Sequence, residues 1–115
     1  MKTDSPLKDF GLTPLHGFYG LDEKNNPIEL TNLDEAGKWF ESEKRIVCQT
    51  KIGNKNVSTC FMVLCLGRID GIPLLFETMI DEKSRNCEIY ERYTTWDAAE
   101  KGHKRAVEEL KHEKI

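Results

Sequence analysis

Five side chains in this sequence carry groups suited to holding a ligand or moving a proton: Glu77, Tyr90, Arg92, Trp96 and His103. Glu77 is the one acid inside the apolar run Leu74–Ile80. A carboxylate drawn out of water needs a partner, and Arg92, in the next strand-like segment, is the candidate. The pair reads either as an acid–base or ligand-gripping couple or as a structural ion pair, and the structural reading is preferred. His103 follows Gly102 on an apolar helical stripe. Its imidazole titrates near neutrality and suits a general base or a ligand. A core histidine bonded to a strand carbonyl or to Glu77 is the preferred alternative. Tyr90, Tyr93 and Trp96 read as packing of a strand-to-helix junction, or else as a stacking platform. Ser58 and Thr59 together with His103 invite a hydrolase reading, yet no GxSxG elbow is present. Neither a Walker loop nor GxGxxG occurs, and the acids show no metal-ligand spacing. Cys48, Cys60, Cys65 and Cys87 form no CxxC pair, so they read as small buried hydrophobes rather than zinc ligands. The residues therefore nominate no catalytic group, no metal and no cofactor.

These side chains need elements to place them. Residues 1–17 read as an irregular arm, partly ordered by Leu7, Phe10, Leu12 and Leu15, and 18–115 as a single α+β domain. Phe18–Leu21 and Pro27–Leu30 flank Asp22–Asn26, whose adjacent Asn residues before Pro mark a hairpin turn. Thr31 or Asn32 can cap a short helix over about 33–43, with Asp34 and Glu35 in its first turn. Arg45–Ile52, Val57–Leu66, Leu74–Ile80 and Cys87–Tyr93 read as four strands. Gly53–Asn56, Gly67–Pro73 and Asp81–Asn86 are the turns between them, which makes an antiparallel meander. Thr94 or Thr95 opens a C-terminal helix, and Thr94 with Asp97 fits a capping box. Trp96, Ala99, His103, Val107 and Leu110 form its apolar stripe. The mid-helix Gly102 fits a close approach to the sheet. Centring the turns places Leu64 opposite Phe76, Met62 opposite Thr78, and Phe76 opposite Glu91 or Arg92. Both sides of Val57–Leu66 are apolar, so either the helices cover opposite faces, or both cover one face. In the second case a homodimer or binding surface is natural.

The chain has 115 residues and a formal net charge of −3 at pH 7. That length suits one domain. A net negative charge argues against a direct nucleic-acid binder, which carries a basic stripe. No apolar run is long enough for a signal peptide or a membrane span, so a cytoplasmic setting without membrane association is expected. A local acid excess lies over residues 22–43, where seven acids stand against two lysines. Asp22, Glu23, Glu29, Asp34 and Glu35 are therefore the candidate protein-interface residues, suited to a basic partner surface.

The sequence resembles a family of small, functionally uncharacterised phage and prophage proteins. The resemblance is carried by Trp39-Phe40-Glu41, Val47 to Thr50, Val57-Ser58-Thr59, Leu75-Phe76-Glu77-Thr78-Met79 and Arg92-Tyr93-x-Thr95-Trp96-x-x-Ala99-x-x-Gly102-His103. It covers about residues 18–107. The family often has Asp-His after the VST strand, where Cys65-Leu66 stand here, so any role of that pair is lost. The resemblance implies a mobile-element setting and no particular activity. The leading expectation is a non-enzymatic accessory protein that binds a host protein, as an anti-defence inhibitor would. The alternatives are a protein that sequesters a small, nucleotide-like ligand with Glu77, Arg92, Tyr90 and His103, and a small hydrolase using His103.

Overall fold

Asp22 starts the fold locally. Its carboxylate accepts from the amides of Lys24 (2.8 Å) and Asn26 (2.9 Å), closing a turn in which Asn25 takes a left-handed φ of 65°. This turn joins β1 (Tyr19–Leu21) to β2 (Pro27–Glu29). The structure, a computed structural model, describes residues 17–82 and 87–113. The expected arm before Gly17 and most of the Asp81–Asn86 loop lie outside the described residues. After β2, the Asn32 side chain accepts from the Glu35 amide and caps α1 (Leu33–Phe40). Asn32 rather than Thr31 is the cap. The helix ends three residues earlier than expected, because a single 3₁₀ turn (Glu43–Arg45) capped by Ser42 follows.

Four strands make the main sheet: β3 (Ile46–Ile52), β4 (Lys55–Phe61), β7 (Phe76–Glu82) and β8 (Cys87–Tyr93), in the order β3-β4-β7-β8 and all antiparallel. The expected meander is present, but β4 stops at Phe61 instead of Leu66. Val63 takes a φ of +69°, which breaks the extended run. The apolar residues beyond Phe61 pair with other partners. Tyr19 N–H donates to the Val63 carbonyl (2.7 Å), and Phe18 bridges Leu64. The turn region contains its own small hairpin, β5 (Arg68–Ile69) and β6 (Ile72–Pro73). Its Asp70-Gly71 pair has φ values of 52° and 81°, which is type I′ turn geometry.

That small hairpin corrects the expected register. Phe61 lies opposite Phe76 and Thr59 opposite Thr78, three residues from the Leu64/Phe76 and Met62/Thr78 pairing. An odd slip moves side chains to the other face. Cys60 therefore shares a face with Glu77, and Phe61 shares one with Phe76. Phe76 faces Tyr93 rather than Glu91 or Arg92, and a bulge leaves Tyr90 without a register partner. A second bulge interrupts β3 between Ile46 and Cys48.

Val57, Thr59, Phe61, Phe76, Thr78 and Tyr93 form the buried face. Helix α2 (Trp96–His112) crosses it and buries Ala99, Gly102, His103, Ala106 and Leu110. Val107, expected in the stripe, sits at its margin and packs beside Ala106 and Leu110. Thr95 caps this helix by accepting from the Ala98 amide (3.0 Å), so the Thr94–Asp97 capping box does not form. From α1, Trp39 meets Phe61 edge-on at 5.8 Å, and Trp96 meets Phe76 in the same manner at 6.2 Å. Both helices thus lie on one side of the sheet, and Ser58, Cys60, Glu77 and Met79 point to the other. The cysteines are not core residues: Cys48, Cys60 and Cys65 are half-buried, and Cys87 is exposed. No helix among the described residues is long and apolar enough to cross a membrane.

Candidate functional site

The most chemically loaded place in the molecule is the buried contact of α2 with the sheet. Strand alternation sends Thr50 of β3, Thr59 of β4 and Thr78 of β7 toward the helix, and Tyr93 closes the row from β8. His103 drops onto them from α2. Its Nε2 lies 2.8 Å from Thr50 Oγ1 and its Nδ1 lies 2.7 Å from Thr59 Oγ1. Thr59 Oγ1 lies 2.5 Å from Thr78 Oγ1, and the Tyr93 hydroxyl donates to Thr78 Oγ1 at 2.9 Å. One hydrogen-bonded chain therefore crosses all four strands. Gly102 makes room for it, since a Cβ there would fall onto the Tyr93 ring and hydroxyl.

Counting protons assigns the direction of this chain. Tyr93 donates to Thr78, so Thr78 satisfies its own proton by donating to Thr59. Thr59 then donates to His103 Nδ1, leaving Nε2–H to donate to Thr50. The reverse sense between Thr59 and Thr78 would leave the Thr78 hydroxyl proton without one of these acceptors, which is costly in a dry interior. In this sense of donation, which starts from Tyr93 donating to Thr78, His103 is the neutral Nε2–H tautomer. Burial disfavours the imidazolium and lowers the His103 pKa below its ordinary value. Burial likewise raises the Tyr93 phenol, with the nearby Glu91 carboxylate adding to the rise.

This arrangement does not suit general-base attack on a substrate. His103 is 3% exposed, and both ring nitrogens are bonded to threonine hydroxyls. Its partners are strand hydroxyls, where a strand carbonyl or Glu77 was expected. Ser58 lies on the opposite face, away from the imidazole. Glu77 and Arg92 do meet: Arg92 Nε donates to Glu77 Oε2 at 2.8 Å, with side-chain exposures of 5% for Glu77 and 36% for Arg92. They sit on the open face, whereas Tyr90 packs against the Val57, Ala106 and Leu110 cluster on the helix side. The four residues of the expected ligand pocket are thus split across the sheet, because Glu77 alternates with Phe76 and Thr78. A groove of about 380 Å³ between the β5–β6 hairpin and α2 is lined by Arg92, Tyr93, Glu91 and Arg105, but not by Glu77.

Trp96 finds different company. With Trp39, Asp22, Glu23 and Lys44 it lines a cavity of about 470 Å³ beside the N-terminal hairpin. Asp22, Glu23, Glu29, Asp34 and Glu35 are all exposed on that hairpin and α1. Amide donation from Asn26 and Lys24 holds the Asp22 carboxyl below its usual pKa. Sequence reasoning passes over Thr50 and Thr78 as partners of His103, and reads Tyr93 as junction packing or a stacking platform rather than as part of this chain. The available signal was a hydroxyl residue at an inward strand position in each case, and it becomes readable only once the register is known. No family model, curated protein or solved structure matches this chain.

Proposed function

We propose that this chain is a phage- or prophage-encoded accessory protein that binds a basic surface of a host protein without catalysis, using the β1–β2 hairpin and α1. One observation carries the reading. Ile28, Leu33 and Phe40 are 48%, 67% and 43% exposed on the same hairpin-and-helix unit as the five exposed acids. Apolar side chains held in water within a charged frame suit protein contact. The adjoining cavity adds a specific anchor: the Trp39 and Trp96 indoles with Asp22 and Glu23, two carboxylates against the one Lys44 ammonium on the same wall, suit an inserted Lys or Arg side chain. By contrast, the exposed face of α2 pairs its own charges, as in Lys101–Asp97 at 3.1 Å. The phage setting, and with it an anti-defence role in the host cytoplasm, rests on the sequence resemblance. The closed Glu77–Arg92 pair and the doubly bonded His103 lend no support to the small-ligand and hydrolase alternatives.

The test compares the wild-type chain with the L33S/D34K/E35K variant in affinity capture from host lysate, alongside thermal unfolding of both. The expected result is a basic host protein retained by the wild type and lost by a variant that stays folded, its stability lowered by no more than the roughly 1–2 kcal/mol that two lysines in the first turn of α1 cost. Equal retention by a folded variant overturns the assignment of the surface.

A further inference from the structure

The chain of hydroxyls has a property beyond holding α2 in place. We propose that it is a reversible proton relay, through which protonation of His103 in the core is reported at the surface pair Glu91–Arg105. In the neutral state the donors run from Tyr93 through Thr78 and Thr59 to His103 Nδ1. When Nδ1 takes a proton it becomes a donor, so Thr59 must accept from it. Thr59 then donates to Thr78, Thr78 donates to the Tyr93 oxygen, and the Tyr93 proton turns outward. An acceptor stands there. Glu91 shares the strand face of Tyr93 two residues away and lies opposite Thr78 in the register, with Arg105 bonded to its carboxylate. Nε2–H continues to donate to Thr50 in both states. Every group in the chain therefore keeps its partners whether or not the imidazole is charged, and only the direction of donation changes.

The surroundings permit this from every side. β3 presents Thr50 and the Cys48 thiol, β4 presents Thr59, β7 presents Thr78, and β8 presents Tyr93 and Glu91. From α2 itself, Arg105 donates to Glu91 Oε1 at 2.8 Å. No cation faces the ring in this set, and the one carboxylate stands at the far end of the relay. Glu91, Tyr93 and Arg105 also line the groove beside the β5–β6 hairpin. A proton taken up in the core thus changes hydrogen bonding at the wall of that groove, while α2 stays docked.

The test is an NMR titration of the full chain from pH 8 to 4, following the His103 ring nitrogens, the Glu91 carboxyl carbon and the Arg105 side chain. Wild type, Y93F, E91Q and the double variant are compared. The relay predicts the Nε2–H tautomer at pH 8, and a His103 midpoint reached while the protein is still folded. It also predicts a Glu91 shift with the same midpoint. E91Q weakens the acceptor at the end of the chain and so lowers the midpoint by about half a unit, a threefold loss of proton affinity. Y93F keeps that acceptor but cuts the path, so it also lowers the midpoint, and the double variant matches Y93F alone. Should Y93F unfold at acid pH, the shared Glu91 and His103 midpoint in the wild type decides the matter. A His103 that stays neutral until the fold is lost, or a midpoint unmoved by Y93F, overturns the relay.

Discussion

Replacing Gly102 by Ala sets two physical effects against each other. In a helix interior, Ala is favoured over Gly by about 1 kcal/mol, because Gly surrenders more backbone freedom. The tertiary setting reverses the sign. A Cβ on Gly102 would overlap the ring and hydroxyl of Tyr93, which is 4% exposed and sits in the cluster with Phe61, Phe76 and Ala99. Relieving the overlap means shifting α2 or the ring, and overpacking of this kind costs about 1–3 kcal/mol. A displaced Tyr93 also drops its bond to Thr78, and a buried hydroxyl left without a partner costs about another 1–3 kcal/mol. The net expectation for G102A is a loss of about 2–3 kcal/mol, read as a fall of about 10 °C or more in Tm. Gly37 supplies the control. It lies in exposed α1 with nothing within 4 Å of an added Cβ, so G37A should stabilise by up to about 1 kcal/mol. The assay is urea and thermal unfolding followed by tryptophan fluorescence. In a Y93A background the obstacle is gone, and the penalty of G102A should largely vanish. A G102A protein as stable as G37A, or a penalty indifferent to Y93A, would refute the reasoning.

Three further outcomes are expected. The His103 pKa is lowered in the fold by burial, so the unfolded chain binds the proton more tightly. Stability is then full above about pH 6.5, the unfolded value, and declines as pH falls from there toward the folded pKa, by at most about 1.4 kcal/mol per pH unit. Urea midpoints across pH 8 to 5 for wild type and H103Q, the variant lacking this slope, check it. R92A leaves the Glu77 carboxylate in its nearly closed site without its bond and should cost about 2 kcal/mol, moderated by the partial exposure of the arginine. E77Q/R92A should recover part of that loss in the same unfolding assay. T95A removes the cap of α2 and should cost about 1 kcal/mol, while T94A should leave Tm within a degree or two.

The fold was largely legible because its elements carry local signals. Asn25-Asn26-Pro27 and Asp70-Gly71 mark their turns, the strands are rich in β-branched residues, and Ala99, His103 and Leu110 recur at helical spacing. The register was not legible. It depends on how many residues the β5–β6 hairpin and the Tyr90 bulge take up, and no local preference sets that number. The candidate site inherited the difficulty. His103 and Gly102 stood out because an imidazole and a glycine are unusual in an apolar helical stripe. The threonines did not, since Thr50, Thr59 and Thr78 are ordinary strand residues until three neighbouring strands bring them onto one line. Glu77 was recognised as needing Arg92, but which side of the sheet they share was a matter of parity, and an odd slip reversed it.

The two bulges have a consequence for how the molecule behaves in a crowd. They fall in β3 and β8, the outermost strands, and nowhere else in the main sheet among the described residues. A straight outer strand is a template on which a stranger's backbone can lay down the next row. Here each border is kinked by an extra residue, near one end at Val47 on one side and in the middle at Tyr90 on the other. Neither border offers seven residues of evenly spaced donors and acceptors. The kinked borders make poor templates for a fifth strand, even though each carries an exposed isoleucine, Ile46 on one and Ile89 on the other.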